Sequence, residues 1–90
     1  MQKAVITVVG KDRVGIMAKV AERCAHSNAN VIDVSQTVMD AIFSMVMLLD
    51  IDALSCDFDR FVADMKTLGT DMNLKIHVMH EDIFNAMHRV

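Results

Sequence analysis

Proline is absent from this chain, as are tryptophan and tyrosine; glycine occurs three times and cysteine twice in 90 residues. The lack of proline, beside the apolar content, argues against a disordered chain. With four phenylalanines as the only aromatics, platforms on which nucleic-acid bases could stack are scarce. A net charge of -3 also argues against nucleic acid, whose partners carry clustered lysine and arginine. Long apolar runs are missing too. The longest, Ala41 to Leu49, is interrupted by Ser44 and bounded by Asp40 and Asp50, well short of the roughly 20 residues that cross a bilayer. After Met1 no basic segment, apolar stretch and small-residue cleavage site follow in order, so no signal peptide and no membrane association are expected, and the expected location is the cytoplasm. Two cysteines, Cys24 and Cys56, suit a reducing compartment, and they lack the close spacing of a metal-carrying motif.

What the chain does have is apolar content, at 53%, which places it among globular proteins. Its length predicts one domain spanning residues 1–90. A monomer of this size buries only about 60–65% of the surface its unfolded chain exposes, so a partner subunit would help it.

The periodicity predicts the elements. Ala4 to Val9 is a β-rich run in which only Thr7 is polar. Ile16, Met17, Val20, Ala21 and Cys24 form an apolar stripe on a helix from Arg13 to about Ser27, with Asp12 placed to cap it and Cys24 buried on the stripe. Val31 to Met39 alternates, with Ile32, Val34 and Val38 on one side and Asp33, Ser35 and Thr37 on the other. After a short turn at Asp40-Ala41, Ile42 to Ile51 is apolar on both faces. Ser55 to Asp57 caps a second helix carrying Phe58, Phe61, Val62, Met65 and Leu68, which Gly69 is placed to end. Leu74, Ile76 and Val78 alternate with Lys75 and His77 in a fourth strand. Glu81 to Arg89 fits a last short helix, with Ile83 and Met87 able to pack down.

Strand-helix-strand twice over is the split βαβ pattern, so the expected fold is α+β: a ferredoxin-like βαββαβ sandwich with two helices on one face of an antiparallel sheet. The near-continuous apolar strands belong in the centre and the alternating ones at the edges, giving the order 4-1-3-2. The third strand then puts Phe43, Met45, Met47 and Leu49 on one face and Ile42, Val46 and Leu48 on the other. A partner subunit or the terminal helix is needed to cover the second face.

The richest segment is the junction Val8-Val9-Gly10-Lys11-Asp12-Arg13-Val14-Gly15-Ile16-Met17. A strand runs into a polar turn with a glycine on either side and then into a helix, whose first N–H groups lack internal partners and whose dipole favours an anion. Together with Asn30-Val31-Ile32-Asp33 at the start of the second strand, it resembles the ACT domain, a small-molecule-sensing regulatory module. The resemblance spans essentially the whole chain and is nearest to short proteins made of one such domain; the ACT halves of the glycine cleavage system repressor share the opening turn. It implies a non-catalytic module that pairs as a homodimer and holds an amino acid or similar small carboxylate between subunits. Asp12, Arg13, Val14, Gly15 and Ile16 would line one wall, and Asn30, Val31 and Asp33 the facing wall. Many relatives have proline where this chain has Val14, a change that leaves one more N–H at the turn. No attached catalytic or DNA-binding domain is expected, so the protein target is expected to be a separate, unknown one.

Plainer roles stand beside these. The two glycines fit a tight backbone, Asp12 a helix cap, Arg13 a solvated cation, and Asn30 a turn into its strand. His77, His80 and His88, with Glu81 and Asp82, invite a metal but match no strong ligand spacing; no metal and no cofactor are expected. The nine methionines read mostly as core packing. Two further functions stay open: a ligand-free dimerisation or protein-interaction module, and an acylphosphatase-like enzyme using Arg13 and Asn30. The enzyme lacks a glycine-rich phosphate cradle and any acid–base pair.

Overall fold

Seven elements alternate in the computed structural model, which describes residues 1–11 and 13–87. They are β1 (Lys3–Lys11), α1 (Ile16–His26), β2 (Asn30–Met39), β3 (Ile42–Asp50), α2 (Phe58–Met72), β4 (Leu74–His80) and α3 (Glu81–Met87). The sheet is antiparallel in the order β2-β3-β1-β4, the 4-1-3-2 arrangement expected from strand polarity.

One face of the sheet forms the core. Ala4, Ile6 and Val8 of β1 and Phe43, Met45, Met47 and Leu49 of β3 pack with Ile16, Val20 and Cys24 of α1 and Phe61, Met65 and Leu68 of α2. The centres of both helical stripes therefore bury as their spacing predicts, while Ala21, Phe58 and Val62 are half-buried and Met17 is exposed. Of the methionines, Met45, Met47 and Met65 are in this core and Met72 packs against it, whereas Met1, Met17, Met39 and Met87 are exposed, so packing accounts for fewer of them than their periodicity implied.

The second face is covered only in part. Val5 lies on it, apart from the main core, and is 2% exposed; α3 contacts β1 and β4 and is the described element left to shield it. Phe84 is half-buried in that helix, while Ile83 and Met87, expected to pack down, are exposed. His88 and Arg89, the expected end of the helix, lie outside the described residues. Away from α3 the same face leaves Val9, Ile42 and Val46 exposed.

Three local departures have clear causes. First, β2 carries a bulge between Val31 and Asp33. Two residues face one there, and the alternation resets. Val31 and Val34, not Ile32, turn toward the core, and Ile32 is left exposed. The Asp33 carboxylate accepts the Val34 N–H at 2.9 Å, satisfying an amide at the interruption. Second, α1 starts at Ile16, not Arg13, because Gly15 takes the N-cap position in a left-handed conformation at φ 91°, a region open to glycine at little cost. Third, Gly69 does not end α2. The helix runs on to Met72, and Asn73 closes it at φ 58°. Gly69 is small for a packing reason: a Cβ there would sit 2.9 Å from the Leu74 carbonyl oxygen and 3.1 Å from Ile76 Cγ1, so its absence lets α2 rest directly on β4.

Candidate functional site

The β1–α1 turn is exposed at Arg13, Val14 and Gly15. Val14 stands at its apex, 102% exposed, and Met17 follows at 42%. Arg13 is exposed and makes no ion pair among the described residues. Ile16 is 2% exposed, so its side chain belongs to the core and only its backbone faces the turn. Gly15 has no side chain with which to satisfy the first-turn amides of α1, and the space beside it is open, with no atom within 4 Å of where a Cβ would stand. The turn thus offers donors at the positive end of a helix dipole. Asp12, the other expected wall residue and cap, lies outside the described residues; the N-cap position itself belongs to Gly15.

The facing wall is not beside the turn in one chain. The register sets Asn30 opposite Asp50 and Asp50 opposite Lys3, at one end of the sheet. Lys11, Ile42 and Met39 share a row at the other end, where the turn emerges. Eight residues of strand separate the two rows, about 27 Å at roughly 3.4 Å per residue. The Asn30 side chain is exposed and hydrogen-bonds to nothing among the described residues. The neighbouring turn is held instead by Asn28, at φ 60°, whose Nδ2 donates to the Ala53 carbonyl at 2.8 Å. Ser27-Asn28 breaks the helical pattern in the sequence, and an asparagine at a helix end is a usual left-handed cap. Val31 packs toward the core, and Asp33 serves the bulge, so Asn30 is the polar residue of the expected second wall that stands unengaged. With Arg13 and Asn30 at opposite ends, an acyl-phosphate site built on both does not form within one chain.

The turn end of the molecule is also where apolar side chains gather in solvent. Val38 is 52% exposed, Met39 71% and Ile42 54%, all on the β2–β3 hairpin at the same end as Val14 and Met17. One depression lies between the helices around Glu22, Arg23, His26 and Asp64, with a volume of about 640 Å³, and another, of about 380 Å³, lies at the turn end of β1 beside Gly10, Asn73 and Leu74.

The histidines do not converge. His77 pairs with Thr7 on the sheet face away from α1 and α2, while the His80 ring stacks on Phe58, centroids 4.1 Å apart and planes inclined by 23°. His88 lies outside the described residues. Among the described residues no three histidine, cysteine or carboxylate side chains stand together as a metal site. Burial pushes the Cys24 thiol up to about 11, which makes it a packing group with little thiolate character. No described helix is long and apolar enough to cross a membrane.

Comparison with known proteins agrees with this architecture. A family model of the ACT domain matches residues 2–79. A UPF0237 protein of Listeria monocytogenes is 48% identical over 88 residues, covering 98% of this chain and 99% of its own. Among solved structures, an ACT domain protein from Streptococcus pneumoniae superposes with a TM-score of 0.81 at 39% identity, covering 97% of this chain and 98% of that one. A structure described as a glycine cleavage system transcriptional repressor superposes with a TM-score of 0.77 at 26% identity, over 88% of this chain and 45% of its own.

Proposed function

Because this chain belongs to the ACT domain family of regulatory modules, we propose that it is a non-catalytic sensor whose homodimer binds an amino acid or similar small carboxylate at two shared sites. The observation that carries this reading is the separation of the two walls. The donors of the β1–α1 turn and the unengaged amide of Asn30 are both exposed, yet they sit at opposite ends of one sheet. A two-fold axis that sets β2 antiparallel to a second β2 reverses the ends, placing one subunit's Asn30 beside the other's turn. Such an isologous contact repeats itself, giving two equivalent sites. It also buries Val38 and Met39, which the described residues leave exposed.

In that arrangement the first-turn amides of α1 and Arg13 receive the ligand's carboxylate. The Asn30 side chain, which has both a donor and an acceptor, takes the opposite end of the zwitterion. Ligand binding then strengthens the dimer relative to the free subunits, and that population shift is the signal a partner protein reads. Titration calorimetry against the amino acids, paired with sedimentation to follow the dimer, tests the proposal. Saturable heat from one or a few of them, with a tighter dimer, is expected; silence across the panel would overturn it. A dimer that forms with no ligand at all would assign the exposed apolar residues to plain dimerisation.

A further inference from the structure

We infer that the outer edge of β4 is a docking site for an extended, acidic segment of a partner protein, which adds to the sheet as a further strand. β4 is an end strand, paired among the described residues with β1 alone, so alternate backbone N–H and C=O groups along it point outward without a strand partner there.

The two edges of the sheet are treated differently. The β2 edge carries a bulge at Val31/Asp33 and is the edge that the proposed two-fold contact occupies. The β4 edge has no bulge: its register with β1 runs unbroken from Leu74 to His80. Beside it runs a groove of about 440 Å³ between α2 and the strand. Successive residues Leu74 to Val78 line it. Neighbouring residues of a strand point to opposite faces, so a groove touched by all of them follows the strand's edge. Five residues make it about 14 Å long from Leu74 to Val78, at roughly 3.4 Å per residue.

Charge selects the occupant. The chain as a whole is acidic, at -3, but among the described residues the groove is lined by Lys66, Lys75 and His77 and by no carboxylate. Val62 and Ile76 give it an apolar floor on the helix side. A strand alternating acidic and apolar side chains matches both surfaces: its carboxylates meet Lys75 and His77, and its apolar groups meet Val62 and Ile76. The same lysines oppose the edge-to-edge pairing of two copies of β4, since like charges would be brought together.

The test uses the whole chain and fluorescein-labelled eight-residue peptides that alternate valine with glutamate, serine or lysine. Anisotropy reports affinity, and amide chemical shifts report location. The glutamate peptide is expected to bind at least tenfold more tightly than the serine one. Its shifts should map to residues 74–80, and the double change Lys66→Glu and Lys75→Glu should weaken it at least tenfold. Both lysines are exposed, and circular dichroism checks that the variant is folded. Lys19→Glu, an exposed change on α1, controls for net charge and should leave the affinity within about twofold. Absence of binding overturns the inference, as do equal affinity for the serine peptide or shifts that map elsewhere. Shifts at residues 74–80 that grow with protein concentration alone would assign the edge to a second copy and overturn it too.

Discussion

Replacing Gly69 by alanine sets two effects against each other, and the structure decides between them. Gly69 lies inside α2, three residues before its end, where alanine is a better helix former by about 1 kcal/mol. On propensity alone Gly69→Ala should stabilise the protein. The added Cβ, however, would stand 2.9 Å from the backbone oxygen of Leu74, with Ile76 Cγ1 at 3.1 Å and Ile76 Cβ at 3.3 Å. A backbone carbonyl in a paired strand cannot swing aside as a side-chain end can, so α2 must lift from β4. Overpacking of this kind costs about 1–3 kcal/mol. The balance is a net loss of about 1 kcal/mol, or a fall in Tm of about 4–8 °C for a domain of this size. Thermal and urea unfolding followed by circular dichroism measure it. Thr67→Ala, at an exposed helix position whose hydroxyl only bonds back to the Ala63 carbonyl, is the control and should change stability by less than about 0.5 kcal/mol. If Gly69→Ala raised Tm, the close seat of α2 on β4 would be refuted.

Gly15→Ala should cost about 1 kcal/mol, because φ 91° strains any residue with a Cβ even though the space there is open; equal melting of the two proteins would contradict the left-handed cap. Gly15→Asp should abolish ligand heat in calorimetry, by setting a negative charge where the carboxylate docks. Asp33→Ala should lose about 1 kcal/mol through the unsatisfied Val34 amide, while Asp33→Asn, which keeps an acceptor, should lose less; urea midpoints separate them. Burial raises the Cys24 thiol to about 11. The unfolded chain therefore gives up this proton first, at about pH 8.5, and stability should fall by up to about 3 kcal/mol as pH climbs from there toward 11. Cys24→Ala should flatten that part of the profile, and a thiol reagent should label Cys56 but not Cys24 in the native protein.

The fold was legible because burial and periodicity coincide. Ile16, Val20 and Cys24 on α1, and Phe61, Met65 and Leu68 on α2, could pack only one way, and the polarity of four strands set their order. The exceptions are places where one backbone feature overrides the pattern. The bulge at Asp33 moved Val31 into the position that strict alternation assigns to Ile32. Gly69 reads as a helix end on local grounds, yet answers to Leu74 and Ile76, whose approach depends on tertiary packing. The β1–α1 turn was legible as a donor-rich junction from its two glycines. That Asn30 stands at the far end of the sheet was not, since strand register is a non-local property. The groove beside β4 was hidden for the same reason: Lys66 and Lys75 share it only once α2 lies along the strand.

The central claim is that each site is built from two subunits, and subunit mixing tests it. Gly15→Asp disables the turn and Asn30→Ala the facing amide, so each variant alone should bind no ligand. In a mixed dimer one site carries both lesions, and the other pairs an intact turn with an intact Asn30. Random exchange makes half the dimers mixed, so calorimetry of an equal mixture should recover roughly one quarter of the unmodified stoichiometry at full affinity. If mixing restores nothing while the subunits demonstrably exchange, the site is not shared, and the account is wrong.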